Sequence, residues 1–167
     1  MMYNKIVEIK PEFNKDLANL IRSVLVEYRA DRPGTVFTDP TTDNLAALFD
    51  ISGGIYFVLL VEGKVAGGAG IYPTPNLPKQ TCELVKMYLL PAYRGRGFGK
   101  QLMIKCLLKA EELGYKYCYI ETMQELKEAV QLYIKYGFKP LDAPLGNSGH
   151  FGCDLWFMKT LGQEPEH

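Results

Sequence analysis

The chain has 167 residues, 47% of them hydrophobic, which suits one domain over 1–167 with a substantial core. Its 19 Lys+Arg balance 19 Asp+Glu, so no global field holds nucleic acid or an anionic membrane, and affinity for a polyanion has to come from a local cluster such as Arg94, Arg96 and Lys100. Charged residues at 23%, with 8 Phe and 11 Tyr, argue against intrinsic disorder.

In chain order, Tyr3 to Lys10 alternates around Ile6 and Val7 and reads as a strand closed by Pro11. Met1 to Lys5 has neither the apolar stretch nor the cleavage site of an export signal, so a cytoplasmic protein is expected. Leu17, Leu20, Ile21, Val24, Leu25 and Tyr28 recur at the spacing of one buried helical stripe, with Asn14 as the expected cap and Phe13 as a staple. Arg29 to Thr42 holds too many breakers for regular structure and leads into a short helix near Asp43 to Asp50. Ile55 to Glu62 and Lys64 to Tyr72 read as a hairpin turning at Glu62-Gly63-Lys64. The apolar run Ile55 to Val61 is about a third of the roughly 20 residues a membrane span needs, so no membrane partner is expected. Gly67, Gly68 and Gly70 imply that something packs close to the second strand.

Thr81 to Leu90 forms a further strand stopped by Pro91, and a helix follows from about Gly97 to Leu113, buried along Leu102, Met103, Cys106, Leu107, Ala110 and Leu113. Tyr117 to Glu121 is a strand, Glu125 to Tyr136 a helix ended by Gly137, and Cys153 to Leu161 a final strand. The order is β-α-α-β-β-β-α-β-α-β-β, an α/β fold. Its central crossover requires one parallel pair and its hairpins require antiparallel ones, so the sheet is mixed. Cys82, Cys106, Cys118 and Cys153 form no C-x-x-C pair and read as reduced thiols.

The segment Leu89 to Lys100 joins a strand to a helix through Arg94, Gly95, Arg96, Gly97, Phe98 and Gly99. A glycine-rich turn at a helix N-terminus leaves backbone N–H groups pointing outward, ahead of the positive end of the macrodipole, and this geometry holds phosphate. The plain alternative is a tight turn using glycine for positive φ. Against that alternative, Arg94, Arg96 and Lys100 stand at the helix end that disfavours cations by about 0.3–1 kcal/mol each unless an anion joins them. The dinucleotide pattern G-x-G-x-x-G fails because its third glycine falls on Lys100, and the Walker pattern fails at Arg94 and Gln101.

The pattern [RQ]-x-x-G-x-[GA] fits as Arg94-x-x-Gly97-x-Gly99. With it stand the strand Cys82 to Leu89 and the helix pattern Ala129-x-x-x-Tyr133-x-x-x-Gly137-Phe138. On these three motifs and the element order, nearly the whole chain resembles the GNAT superfamily of acetyl-CoA-dependent N-acyltransferases. The resemblance implies the GNAT fold, a mixed central sheet with helices on both faces. It implies that the backbone of Arg94 to Lys100 holds the coenzyme A pyrophosphate, and that Met87, Tyr88 and Leu89 border the pantetheine arm, with the Leu89 amide toward the thioester oxygen. Glu83 matches a carboxylate that serves some members as general base, and its other reading is an ion-paired strand carboxylate. Tyr133 matches the tyrosine that hydrogen-bonds the departing thiolate, against the reading of a packed helix tyrosine. Lys127 stands where many members have a pantetheine-binding Asn, so that contact is not carried over.

For the acceptor cleft, His150 is a candidate to touch substrate or relay a proton, Arg29 and Arg32 to clamp a carboxylate, and Asp39 to receive an ammonium, each against a solvated surface role. His150 and Cys153 alone make too few ligands for zinc, so no metal is expected. The function expected is acetyl transfer from acetyl-CoA to a primary amine of a small molecule through a ternary complex. The rival readings are a non-catalytic acyl-CoA sensor and a protein N-terminal or lysine acetyltransferase. Exposed sheet edges are compatible with a homodimer.

Overall fold

Seven strands form one sheet in the order β1-β2-β3-β4-β5-β7-β6 in the computed structural model, which describes residues 2–163. They are β1 (Asn4–Glu8), β2 (Ile55–Val61), β3 (Lys64–Tyr72), β4 (Thr81–Leu89), β5 (Tyr117–Thr122), β6 (Lys139–Leu141) and β7 (Leu155–Thr160). Every neighbouring pair is antiparallel except β4 and β5. The helices are α1 (Asn14–Glu27), α2 (Leu45–Phe49), α3 (Phe98–Glu112) and α4 (Lys127–Lys135). The expected element order is therefore present, its sixth strand, which the sequence alone does not delimit, being the three-residue β6, and short 3₁₀ turns are added at 11–13, 36–38, 40–44 and 91–93. Among the described residues, no helix is long and apolar enough to cross a membrane.

The alternation in β2 divides the core. Tyr56, Val58 and Leu60 face α1 and meet Leu17, Ile21, Val24 and Leu25, whereas Phe57, Leu59 and Val61 belong to the opposite layer with Leu102, Met103 and Cys106 of α3. Each fully buried Leu, Val or Phe contributes roughly 1.5–3 kcal/mol, so the two apolar layers clamp the sheet from both faces. The Glu62-Gly63 turn takes left-handed φ at both residues, 50° and 76°, as a two-residue hairpin loop requires.

Local details depart from the sequence expectations where tertiary partners compete. Asn14 does not cap α1; its Oδ1 accepts from the Ala46 amide at 2.9 Å and its Nδ2 donates to Asn44, tying α1 to α2. Leu113 is exposed, because it lies past the last turn of α3. The last helix begins at Lys127 rather than Glu125, whose carboxylate is taken by Arg32.

Glycines in β3 prepare the site. A Cβ on Gly68 would lie 2.5 Å from the Tyr56 ring, so the bare backbone lets that ring cross β3. The Tyr56 hydroxyl then donates to the Lys86 carbonyl at 2.7 Å. Lys86 has φ 52°, and the β3–β4 register shifts here, with Lys86 and Met87 opposite Ala69 alone. A left-handed non-glycine residue costs roughly 1–2 kcal/mol, which this hydrogen bond and the burial of Tyr56 offset.

Candidate active site

Beyond the bulge, β4 leaves its parallel neighbour. The two strands pair only over Thr81–Glu83 against Tyr117–Tyr119, although β4 continues to Leu89 and β5 to Thr122. The opening is a cleft of about 370 Å³ whose walls are Leu84 and Lys86 to Leu89 on one side, Glu121 and Thr122 on the other, and Ala129, Leu132 and Tyr133 of α4. The Leu90 amide donates to Ala66 of β3 at 3.0 Å. Alternation along a strand therefore turns the Leu89 N–H away from β3 and into the opening.

Gly95, Gly97, Gly99 and Lys100 form the mouth of this cleft. Gly95 and Gly97 have φ of 72° and 82° with open space where a Cβ would stand. From Arg94, whose amide donates to Pro91, the next amide taken up is that of Gln101, by the Gly97 carbonyl at 3.1 Å. The N–H groups of 95–100 thus remain for a ligand at the N-terminus of α3, and this cradle fits a pyrophosphate. Arg94 departs from the sequence expectation of a cation awaiting a ligand anion. The Arg94 guanidinium is already matched by Glu27, at 2.6 and 3.0 Å, and also donates to the Leu89 carbonyl at 2.8 Å. The cations left for a ligand there are exposed Arg96 and Lys100, the latter over the Tyr136 ring. Arg94 instead fixes the peptide plane next to the Leu89 amide.

Beside the cleft lies a chamber of about 30 Å³ that shares Lys86, Tyr88, Glu121, Thr122 and Leu126 with it. Glu83 lies at its floor, 2% exposed, with Thr74 Oγ1 donating to its Oε1 at 2.6 Å. Burial pushes the Glu83 carboxyl up to about 8, opposed by the Thr74 hydrogen bond and raised further by Glu121. Oxygens of Glu83 and Glu121 and a ring nitrogen of His150 lie within 4.8 Å of one another. His150 Nε2 donates to Asp39 Oδ2 at 2.8 Å, and Lys86 Nζ stands 3.6 Å from the same oxygen. That hydrogen bond, chief among several causes, holds the Asp39 carboxyl well below its ordinary value, while burial lowers the Lys86 ammonium.

Three loops close the chamber. Gly152 N donates to Gly34 at 2.7 Å, and Asn147 N donates to Pro75 at 2.8 Å. Arg32 adds bonds to Gly152 O at 3.1 Å and Glu125 at 2.7 Å. Of the residues singled out from sequence, Glu83, Asp39 and His150 come together here, and Tyr133 lines the cleft with Leu89. Burial raises the Tyr133 phenol, keeping it a neutral donor. Arg32 is engaged by the closing loops, and Arg29, on the surface past α1, lines none of these walls. Lys127 is exposed. All four cysteines are free, and Cys153, at the chamber wall, is pushed up to about 12 by burial.

Lys86, Glu121, Thr74 and Ser148 were not singled out from sequence. A signal existed for two of them: Lys86 interrupts apolar Leu84 to Leu89, and Glu121 ends apolar Tyr117 to Ile120. The expectation that His150 lacks neighbouring ligand groups is also corrected, since the fold brings Glu83 and Glu121 to it. Lys86, ion-paired to Asp39, also places a positive charge near Glu83, one member of that cluster.

A splayed parallel pair beside a free-amide loop gives a cleft suited to a phosphate-bearing ligand, and comparison with known proteins specifies the class. The family model described as "Acetyltransferase (GNAT) family" matches residues 21–138. The uncharacterized N-acetyltransferase YjgM of Escherichia coli is 42% identical over 150 residues, 89% of either chain. A GNAT-family acetyltransferase structure from Staphylococcus aureus superposes with a TM-score of 0.81 at 20% identity, covering 95% of this chain and 99% of that one. The PaiA N-acetyltransferase of Thermoplasma acidophilum, solved in complex with coenzyme A, gives 0.70 at 16% identity, covering 95% and 99%. The chain belongs to the GNAT acetyltransferase family and is an acyltransferase.

Proposed function

We propose that this enzyme transfers the acetyl group of acetyl-CoA to the primary amine of a small molecule by direct attack in a ternary complex. One observation carries the reading: the cleft lined by the 95–100 loop, Leu89 and Tyr133 shares a wall, formed by Lys86, Tyr88, Glu121, Thr122 and Leu126, with the chamber that holds buried Glu83. The amides of 95–100 hold the pyrophosphate, and Met87 to Leu89 border the pantetheine arm. The Leu89 N–H donates to the thioester oxygen as negative charge develops there. Glu83 takes the proton of the incoming ammonium, and Tyr133 donates to the leaving thiolate. Each turnover forms one C–N bond and breaks one C–S bond; of the two protons the nitrogen loses, the first goes to Glu83 and on to solvent, and the second, released after attack, replaces the proton that Tyr133 gives to the departing thiolate.

A thiol intermediate is disfavoured, since the thiol at the chamber wall is held neutral and the other three cysteines are buried. The loops closing the chamber support a small acceptor over a protein segment, which needs an open groove. Free thiols are in keeping with a reducing cytoplasm. The test is release of CoA thiol from acetyl-CoA across a panel of amines, with the acetylated amine identified by mass. Acetyl-CoA binding without release for any amine would favour the sensor reading instead.

A further inference from the structure

We infer that Glu121 is the amine anchor of the acceptor chamber and that it selects primary amines whose amine-bearing carbon carries no carboxylate. This rests on the acetyl-transfer reading above and specifies its substrate class. Glu121 stands at the end of β5, on the wall common to the cleft and the chamber, and reaches the same space as Glu83 and His150. Both of its oxygens are oriented. Tyr119 donates its hydroxyl to Oε2 at 2.9 Å and is itself fixed by the Leu145 amide at 2.9 Å, while the Ser148 hydroxyl donates to Oε1. An ionised carboxylate has about four lone-pair sites, so two donors leave acceptor capacity facing the chamber.

A primary ammonium carries three donors. Placed between Glu83 and Glu121, where about 30 Å³ admits the ammonium group and not the rest of the amine, it can donate to both, so Glu121 holds the cation while Glu83 removes a proton. The other charges of the chamber are already matched to one another. Asp39 faces Lys86 and His150, and the Lys86 side chain is only 3% exposed. Arg32, the arginine of the closing loops, is consumed by Glu125, Asp154 and the Gly152 carbonyl. Among the described residues, no unpaired cation lines the chamber to receive a substrate carboxylate. The α-carboxylate of an amino acid would lie beside the two glutamates, and like charges brought together in this way are strongly discriminated against. The class selected includes alkyl and aralkyl amines, amino sugars and amino-acid amides, and excludes free α-amino acids.

Matched substrates test this on the wild-type enzyme: tyramine, tyrosinamide and tyrosine, then isoamylamine, leucinamide and leucine. The amide retains the bulk of the amino acid and removes its charge, which separates electrostatics from size. The expected kcat/KM for amine and amide exceeds that for the free amino acid by about tenfold or more. Glu121→Gln should raise the amine KM by about tenfold with a smaller effect on kcat, and narrow the ratio, while Glu121→Asp, which keeps the charge, restores it. Acetyl-CoA affinity and melting temperature report whether each variant is folded, and the wild-type ratio decides the matter if Glu121→Gln does not fold. An amino acid used as well as its amide, or an unchanged KM in folded Glu121→Gln, overturns the inference and leaves acetyl transfer standing. Absence of turnover with every member while acetyl-CoA binds overturns the acetyl-transfer reading itself, and this inference with it.

Discussion

Replacing Glu83 with Gln removes the proposed base while keeping its shape, and the burial of that carboxyl fixes what should follow. With Glu83 at about 8, only about a tenth of the free enzyme carries the basic form at pH 7 and about half at pH 8. Wild-type kcat/KM should therefore climb roughly tenfold per pH unit below 8 and flatten above it. In Glu83→Gln, activity should fall on the order of 10²–10⁴-fold and keep rising through pH 8, following the free amine. Stability carries an independent signature. The folded protein holds a proton at Glu83 that the unfolded chain releases from its ordinary 4.5 upward. The native state thus binds more protons between about pH 4.5 and about pH 8, and wild-type stability declines across that window. The full difference of about 3.5 units amounts to about 4–5 kcal/mol as an upper bound. Glu83→Gln has no such proton to lose, so denaturant unfolding should show it gaining on the wild type as pH rises from 5 to 9. Full activity with an unshifted profile, together with parallel stability curves, would remove Glu83 from the mechanism and refute the burial argument.

Two further outcomes follow from the cleft. Tyr133→Phe should lower kcat on the order of 10²-fold while acetyl-CoA affinity by calorimetry stays within a few-fold, because the phenol acts as charge develops on sulfur; intact turnover would make Tyr133 packing alone. Gly97→Val places a branched Cβ at φ 82° in the open space before the loop amides. It should weaken acetyl-CoA binding by at least about tenfold, at a strain cost of roughly 1–2 kcal/mol, and unchanged affinity in the folded variant would remove the pyrophosphate role of the loop.

Much of this was legible in the sequence wherever the signal is local. The Arg94 to Lys100 pattern, the Ala129 to Phe138 pattern and the alternation of β2 each lie within a dozen residues, and the fold places them as their periodicity implies. The acceptor chamber was only half legible, since Asp39, Glu83, Glu121 and His150 come from four separate segments. A sequence without contacts does not say that Arg32 is spent on Glu125 and Gly152, or that Arg94 turns to Glu27 and Leu89. The same competition moved Asn14 from the cap of α1 to α2. Lys86 carries a signal of its own: a lysine in a buried strand is costly unless paired, and Asp39 is the partner that satisfies it.

Direct attack in a ternary complex is the central claim, and initial rates measured over a grid of acetyl-CoA and amine concentrations test it most directly. Intersecting double-reciprocal lines are expected, with no acetylated enzyme when protein and acetyl-CoA are mixed without amine. Parallel lines, with an acetyl group found on a cysteine of the chain, would contradict it.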